Sequence, residues 1–360
     1  MSGNATKEET RRVTLEEHDA TRERVTRILS AMNIPWRLPT QFSGKNSHGD
    51  IDIVVSDNHI PENFTLPEGK GQQSRNGFTH LAFPVIDNSG KETGGLVQVD
   101  LIRTPIECIE QTKTYLSHGT FGNLLGLVCR SIGMRYGMQG VTIIARKEDG
   151  TKCGDITVTQ DPEECLKIIG MNEEDRERVL HGQFENREDH YPVLTRVPFF
   201  HHDCVHPMRM TAPNRGRDKK RPEVEPCREW ILANVKPTPW DLPWRETKEQ
   251  YLAHQAMWQK RLLGEKKYQE LQEQAKEHIA KLTGKTGAKG EKGAWFETMT
   301  KLTQTHKLKI DNIGQVMYAL AKTKNLRVDD FIKQNSPENT LPQLVEHLKQ
   351  NLCNEPDFNT

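Results

Sequence analysis

The chain predicts an α+β fold: a small mixed sheet flanked by helices, followed by a mainly α-helical C-terminal region. Three observations predict it. Between positions 37 and 102, short apolar runs alternate with clusters of Gly, Asn, Asp and Ser, as strands and their turns do. The segments 14–32 and 121–136 carry apolar residues at helical spacing. From about Lys248 to Leu282 the chain is highly charged and reads as one long helix.

The elements follow in order. Thr14 and Glu17 have capping-box spacing, so each can satisfy a free amide at a helix start. Val25, Ile28 and Leu29 give that helix an apolar face as far as about Met32, and Pro35 stops it. A short strand is expected to close at Phe42, before a turn from Ser43 to Gly49. Ile51, Ile53, Val54 and Val55 make the next strand. A polar, Gly-containing stretch, 58–77, precedes two further strands, 78–86 and 96–102. Asp87-Asn88-Ser89-Gly90 and Gly94-Gly95 read as their hairpin loop.

Leu124, Leu125, Leu127, Val128 and Ile132 mark 121–136 as the main core helix of the first half. Strands are expected near 141–145 and 155–158. Asp161-Pro162-Glu163-Glu164 then opens a helix, with Pro in the first turn and acids at the positive end. The domain reading is a disordered N-terminus at 1–13, a compact α+β domain at 14–205 and a Pro- and charge-rich linker at 206–243. A long charged helix at 244–283, a flexible Gly/Lys linker at 284–293 and a small helical bundle at 294–360 complete it.

Composition narrows the function classes. At 360 residues the chain suits roughly two domains. Lys+Arg 50 balances Asp+Glu 50, so nucleic-acid contact has to come from local patches. No apolar run approaches the roughly 20 residues of a membrane span, and the polar N-terminus does not read as a signal peptide. Seven cysteines are scattered without a CxxC, which predicts free thiols and a cytoplasmic protein.

The chemistry-bearing string is Phe42-Ser43-Gly44-Lys45-Asn46-Ser47-His48-Gly49-Asp50-Ile51-Asp52-Ile53-Val54-Val55. Alternate residues of a strand share a face, so Asp50 and Asp52 project together while Ile51 and Ile53 enter the core. Two carboxylates on one face repel unless a divalent cation neutralises them. Asp100 is the acid of an otherwise apolar strand, 95–102. If that strand lies beside the Asp50 strand, the three acids make a cluster able to hold two Mg2+ or Mn2+ ions. The small and polar residues Ser43, Gly44, Asn46, Ser47 and Gly49 let backbone amides approach phosphate oxygens, with Lys45 or His48 adding charge.

A small-residue turn, then hydrophobic-Asp-x-Asp-hydrophobic, then a later acid on a neighbouring strand resembles the DNA polymerase beta-like nucleotidyltransferase superfamily. The resemblance covers roughly residues 15–105. It implies a nucleotidyltransferase fold, with the metal-binding catalytic acids at Asp50, Asp52 and Asp100. It also implies NTP contacts at the turn, with Ser43, Gly44, Lys45 and Ser47 as the nucleotide-binding candidates. The expected reaction is transfer of NMP from an NTP, such as ATP, to a hydroxyl with release of pyrophosphate. Basic segments after the acids make an RNA 3′ end the expected acceptor. A protein or small-molecule hydroxyl, a non-catalytic nucleic-acid-binding protein, and a phosphohydrolase using the same acids are the rivals.

Other segments read more plainly. The string His201-His202-Asp203-Cys204-Val205-His206 lacks the usual zinc spacing and reads as surface or linker. Arg215–Arg221 and the Lys285, Lys289 and Lys292 stretch read as solvated, with acceptor phosphate as the alternative. Arg130 and Arg135 suit either triphosphate or a surface ion pair. Trp230, Trp240, Trp244, Trp258 and Trp295 read as core anchors rather than base-stacking platforms.

Overall fold

A computed structural model describes residues 8–61, 64–75, 77–146, 152–205, 224–236 and 248–286, with Thr6 and a few isolated positions beyond 297. The chain divides into two units, 1–275 and 276–360. The first is mixed α+β.

The N-terminal part begins with β1 (Val13–Thr14) and α1 (Leu15–Ala31). The Thr14 side chain accepts from the Glu17 amide, and the Glu17 carboxylate accepts from the Thr14 amide, so the expected capping box is formed. Next come β2 (Trp36–Arg37), β3 (Ser47–His48), β4 (Asp50–Ser56), β5 (Lys70–Arg75), β6 (Phe78–Ile86) and β7 (Glu92–Thr104). Five of them form one sheet in the order β2-β4-β7-β6-β5. The β4–β7 pair is parallel and the other pairs are antiparallel, which makes the sheet mixed.

Register sorts the sheet's two faces. Ile51 pairs with Val99, which pairs with Leu81; Val97 pairs with Phe83. These side chains share a face, are fully buried, and pack with Val25 and Leu29 of α1 into one core. Each such side chain contributes about 1.5–3 kcal/mol relative to exposure. The opposite face carries Asp50, Asp52, Gln98, Asp100 and His80 at one end and buried Val54 and Ile102 at the other. The helix α2 (Ile109–Leu116) packs against β4, and its Thr112 hydroxyl meets that of Thr104 at 3.0 Å.

A second core follows. It is built from α3 (Phe121–Arg130), a three-stranded sheet of β8 (Met134–Gly137), β9 (Gly140–Arg146) and β10 (Lys152–Thr159), α4 (Pro162–Ile168), α5 (Glu173–Leu180), α6 (Tyr191–Thr195) and α7 (Val224–Asn234). Trp258 of α8 (Lys248–Leu263) and Leu271 of α9 (Glu265–Thr286) join it, so the compact unit runs on past residue 205. Trp258 is fully buried and Trp230 packs against this core, as anchors do. Trp240, Trp244 and Trp295 lie outside the described residues.

Several elements differ from the sequence reading. Residues 8–12 are placed: the Arg11 amide donates to the Leu96 carbonyl at 2.8 Å, and its guanidinium pairs with Glu17. Phe42 closes no strand: its carbonyl accepts from the Lys45 amide in a turn, and its ring packs against His190 and the Gly119 turn. The polar stretch 58–77 contains β5, whose polar residues pair as an edge strand. The helix expected to reach residue 136 ends at Arg130, and Met134–Gly137 becomes a strand paired with β9. The long charged helix is two helices, broken at Gly264 with φ +77°, which glycine tolerates without steric cost. Helix also continues through Thr286, into the expected linker.

The second unit is described by the end of α9, with a Lys281–Glu277 ion pair, and by short helical stretches at 298–299, 338–340 and 342–343. The basic run at 215–221, the lysines at 289 and 292, and most of the expected bundle lie outside the described residues. Among the described residues no helix is long and apolar enough to cross a membrane, and the six described cysteines are free thiols.

Candidate active site

Parallel pairing of β4 with β7 places Asp52 directly opposite Asp100, and Asp50 opposite Gln98. All four belong to the same face by alternation. The three predicted acids are therefore brought together by register, on the sheet face that α1 does not cover. The local cause is the Gly-containing turn before Asp50, followed by an apolar β-branched run that suits a buried central strand.

The electrostatics follow from this placement. Desolvation, then the charges of Asp50 and Asp100, push the Asp52 carboxyl up to about 7, while Lys45 acts in the opposite sense. Burial also raises the Asp100 carboxyl, opposed by hydrogen bonds from His80 and Gln98. Like charges crowded on a partly desolvated face call for a cation, and three hard oxygen donors suit Mg2+ or Mn2+. Among the described residues no three or more His, Cys, Asp or Glu side chains yet form a ready-made ligand set. Asp100 is held by its neighbours: Gln98 Nε2 donates to both its oxygens at 2.8 and 2.9 Å, and His80 Nδ1 lies 2.8 Å from Oδ1.

His80 and the clamping role of Gln98 were missed in the sequence. The signal was present, because His80 is the one titratable residue of an apolar run and sits in phase with Phe78 and Ala82. What the sequence lacked was the β6–β7 register that sets His80 opposite Asp100.

The turn expected to hold phosphate is built differently. The Ser43 amide donates to the Phe184 carbonyl and the Gly44 amide to the Glu185 carbonyl, each at 3.0 Å. A Cβ on Gly44 would lie 2.8 Å from that Glu185 oxygen, so glycine is needed here for a close chain crossing. Free amides at Ser43 and Gly44 were expected; in this structure both are spent on the protein. The exposed Ser47 is held by the Arg12 guanidinium, at 2.9 Å from Nε to Oγ. Lys45 remains the candidate phosphate ligand whose charge is felt at Asp52; its Nζ is 3.4 Å from the Gln41 amide oxygen. His48 is buried, stacked on His18 at 3.9 Å, with Nε2 at 3.1 Å from the Lys45 carbonyl.

The remaining candidates are elsewhere. Arg135 pairs with Asp155 across the three-stranded sheet, the ion-pair alternative of the two. His201 and Cys204 are buried rather than on the surface, and His206 lies outside the described residues.

No protein-family model and no curated protein sequence matches this chain.

Proposed function

We propose that this chain is a metal-dependent nucleotidyltransferase with a fold like that of the DNA polymerase beta-like superfamily. The observation that carries the reading is the in-register pairing of Asp52 with Asp100 on adjacent parallel strands, with Asp50 on the same face. Asp50 and Asp52 would bind both of two Mg2+ or Mn2+ ions, and Asp100 one of them. Bound there, the ions would lower the pKa of an acceptor hydroxyl and balance the charge of the triphosphate and leaving pyrophosphate.

The residues themselves divide the work by side. Lys45, on the β4 side of the acids, supplies positive charge for the triphosphate. Asp100, on the β7 side, takes the acceptor proton, held in orientation by Gln98 and His80. The new bond joins the acceptor oxygen to the α-phosphorus, and the bond to the bridging oxygen of the β-phosphate breaks. The proposed acceptor is an RNA 3′ end.

The spent amides of Ser43 and Gly44 favour one alternative: a nucleic-acid-binding protein that keeps the fold and has lost catalysis. Transfer of label from each α-labelled NTP, with Mg2+ or Mn2+, onto RNA and onto protein separates the two. Label that disappears in Asp50→Ala and Asp100→Asn supports the enzyme. The role of Asp100 predicts that Asp100→Asn still binds NTP. No label and no metal-dependent NTP binding would leave the non-catalytic reading standing.

A further inference from the structure

The acid face continues beyond the acids, and its composition changes with direction. The cross-strand row through the site reads Asp52, Asp100, His80, Gln73, from β4 to the edge strand β5. The row on one side reads Asp50, Gln98, Ala82, Lys70. From β4 and β7 towards the edge, the rows pass from carboxylates to the ring of His80 on β6, then to an uncharged amide and a cation on β5.

The rings are Phe78 and His80. They lie two residues apart on β6, hence on one face, with centroids 5.8 Å apart and planes 1° from parallel. Both are partly exposed, although β6 is otherwise largely buried. The helix α2 packs against β4, at the other end of the row. The edge strand next to them reads Lys-Gly-Gln-Gln-Ser-Arg, two cations and no acid. Lys70 is exposed. Glu8 of the N-terminal arm lies against Gly71 at the bulge.

Resting on the nucleotidyltransferase reading, we propose that the β6–β5 side of the face binds the acceptor as a single strand of nucleic acid. The terminal bases stack on Phe78 and His80, the backbone phosphates run along β5 past Gln73 and Lys70, and the 3′ hydroxyl reaches Asp100. Ring faces beside an exposed cation, Lys70, suit a sequence-tolerant single-strand site, since every base offers a π-face. A duplex buries its base faces in its own stack and could not use the rings. The NTP is held by Lys45, so donor and acceptor meet at the acids.

The test measures binding of fluorescent single-stranded RNA and DNA oligonucleotides, without NTP, by anisotropy on the full chain. Loss of a stacked base weakens binding by roughly fivefold to 100-fold. Phe78→Ala is expected to weaken binding in that range, Phe78→Trp to restore it, and Lys70→Glu to weaken it and flatten its salt dependence. Lys70→Glu changes an exposed edge residue, so it informs even if Phe78→Ala fails to fold. In turnover assays both weakening variants raise the KM for oligonucleotide and leave the KM for NTP unchanged.

Wild-type affinity in Phe78→Ala and Lys70→Glu overturns the proposal, as does equal affinity for a blunt duplex. Label transferred only to protein overturns it too. Binding that depends on Phe78 with no transfer of label sinks the enzymatic reading and keeps this site. Transfer to RNA that is indifferent to Phe78 and Lys70 does the reverse.

Discussion

The two cores of the first unit bury polar groups in opposite ways. The five-stranded sheet seals one face under α1 and leaves acids at the partly open end of the other, where Asp50, Asp52 and Asp100 meet. The second core closes around its polar groups. His190 is fully buried among Phe42, Phe121, Phe184 and Tyr191, and among the described residues neither ring nitrogen has a hydrogen-bond partner. His118 nearby is also buried, with Nε2 at 3.1 Å from the Val179 carbonyl. Charge crowded where solvent and ligands can reach it marks chemistry, whereas a neutral ring sunk among aromatics marks packing.

The sharpest way to break this contrast is to alter one acid and one core residue and compare what is lost. Asp52→Asn should lower nucleotide transfer by roughly 10³-fold or more. It also removes a desolvated charge repelled by Asp50 and Asp100, so the thermal midpoint should hold or rise. A lowered midpoint with activity intact would assign Asp52 to structure instead.

Leu124→Ala should do the opposite. Leu124 is fully buried on α3, and its truncation should cost about 2–5 kcal/mol in denaturant unfolding. Metal-dependent NTP binding, measured where the variant remains folded, should be unchanged. A cost below about 1 kcal/mol would mean that the second core is not packed as described.

The third expected effect is on pH dependence. Burial lowers the His190 imidazole to about 3, with the His118 charge adding to it, and burial lowers His118 as well. In the unfolded chain both titrate near the ordinary value of about 6.5. From that pH down to about 3 the unfolded state therefore binds more protons than the folded one, so stability falls as pH falls. Urea midpoints should begin to drop below neutral pH. His190→Leu, of similar volume and without a proton to take, should flatten that drop. An unchanged slope would show that acid sensitivity comes from other groups.

Much of the fold was legible because local chemistry settled it. The capping box of Thr14 and Glu17, the apolar spacing of α1 and the alternation of β4, β6 and β7 each rest on contacts within a few residues. The strand β5 was not legible. Lys-Gly-Gln-Gln-Ser-Arg has no strand-forming side chains, and an edge position beside β6 is what makes it a strand. The end of α3 at Arg130 was also hidden, since Ile132, Met134 and Tyr136 continue an apolar pattern that helix and strand share.

The candidate site divides along the same line. By itself the sequence determined that Asp50 and Asp52 share a face, because a strand alternates, and that Asp100 is the lone acid of an apolar run. Only the tertiary structure decided that Asp100 stands opposite Asp52, that His80 and Gln98 hold it, and that residues 184 and 185 take the amides of Ser43 and Gly44. The reason is physical. Alternation is a property of one strand, whereas register and chain crossing depend on which distant segment supplies the partner atoms.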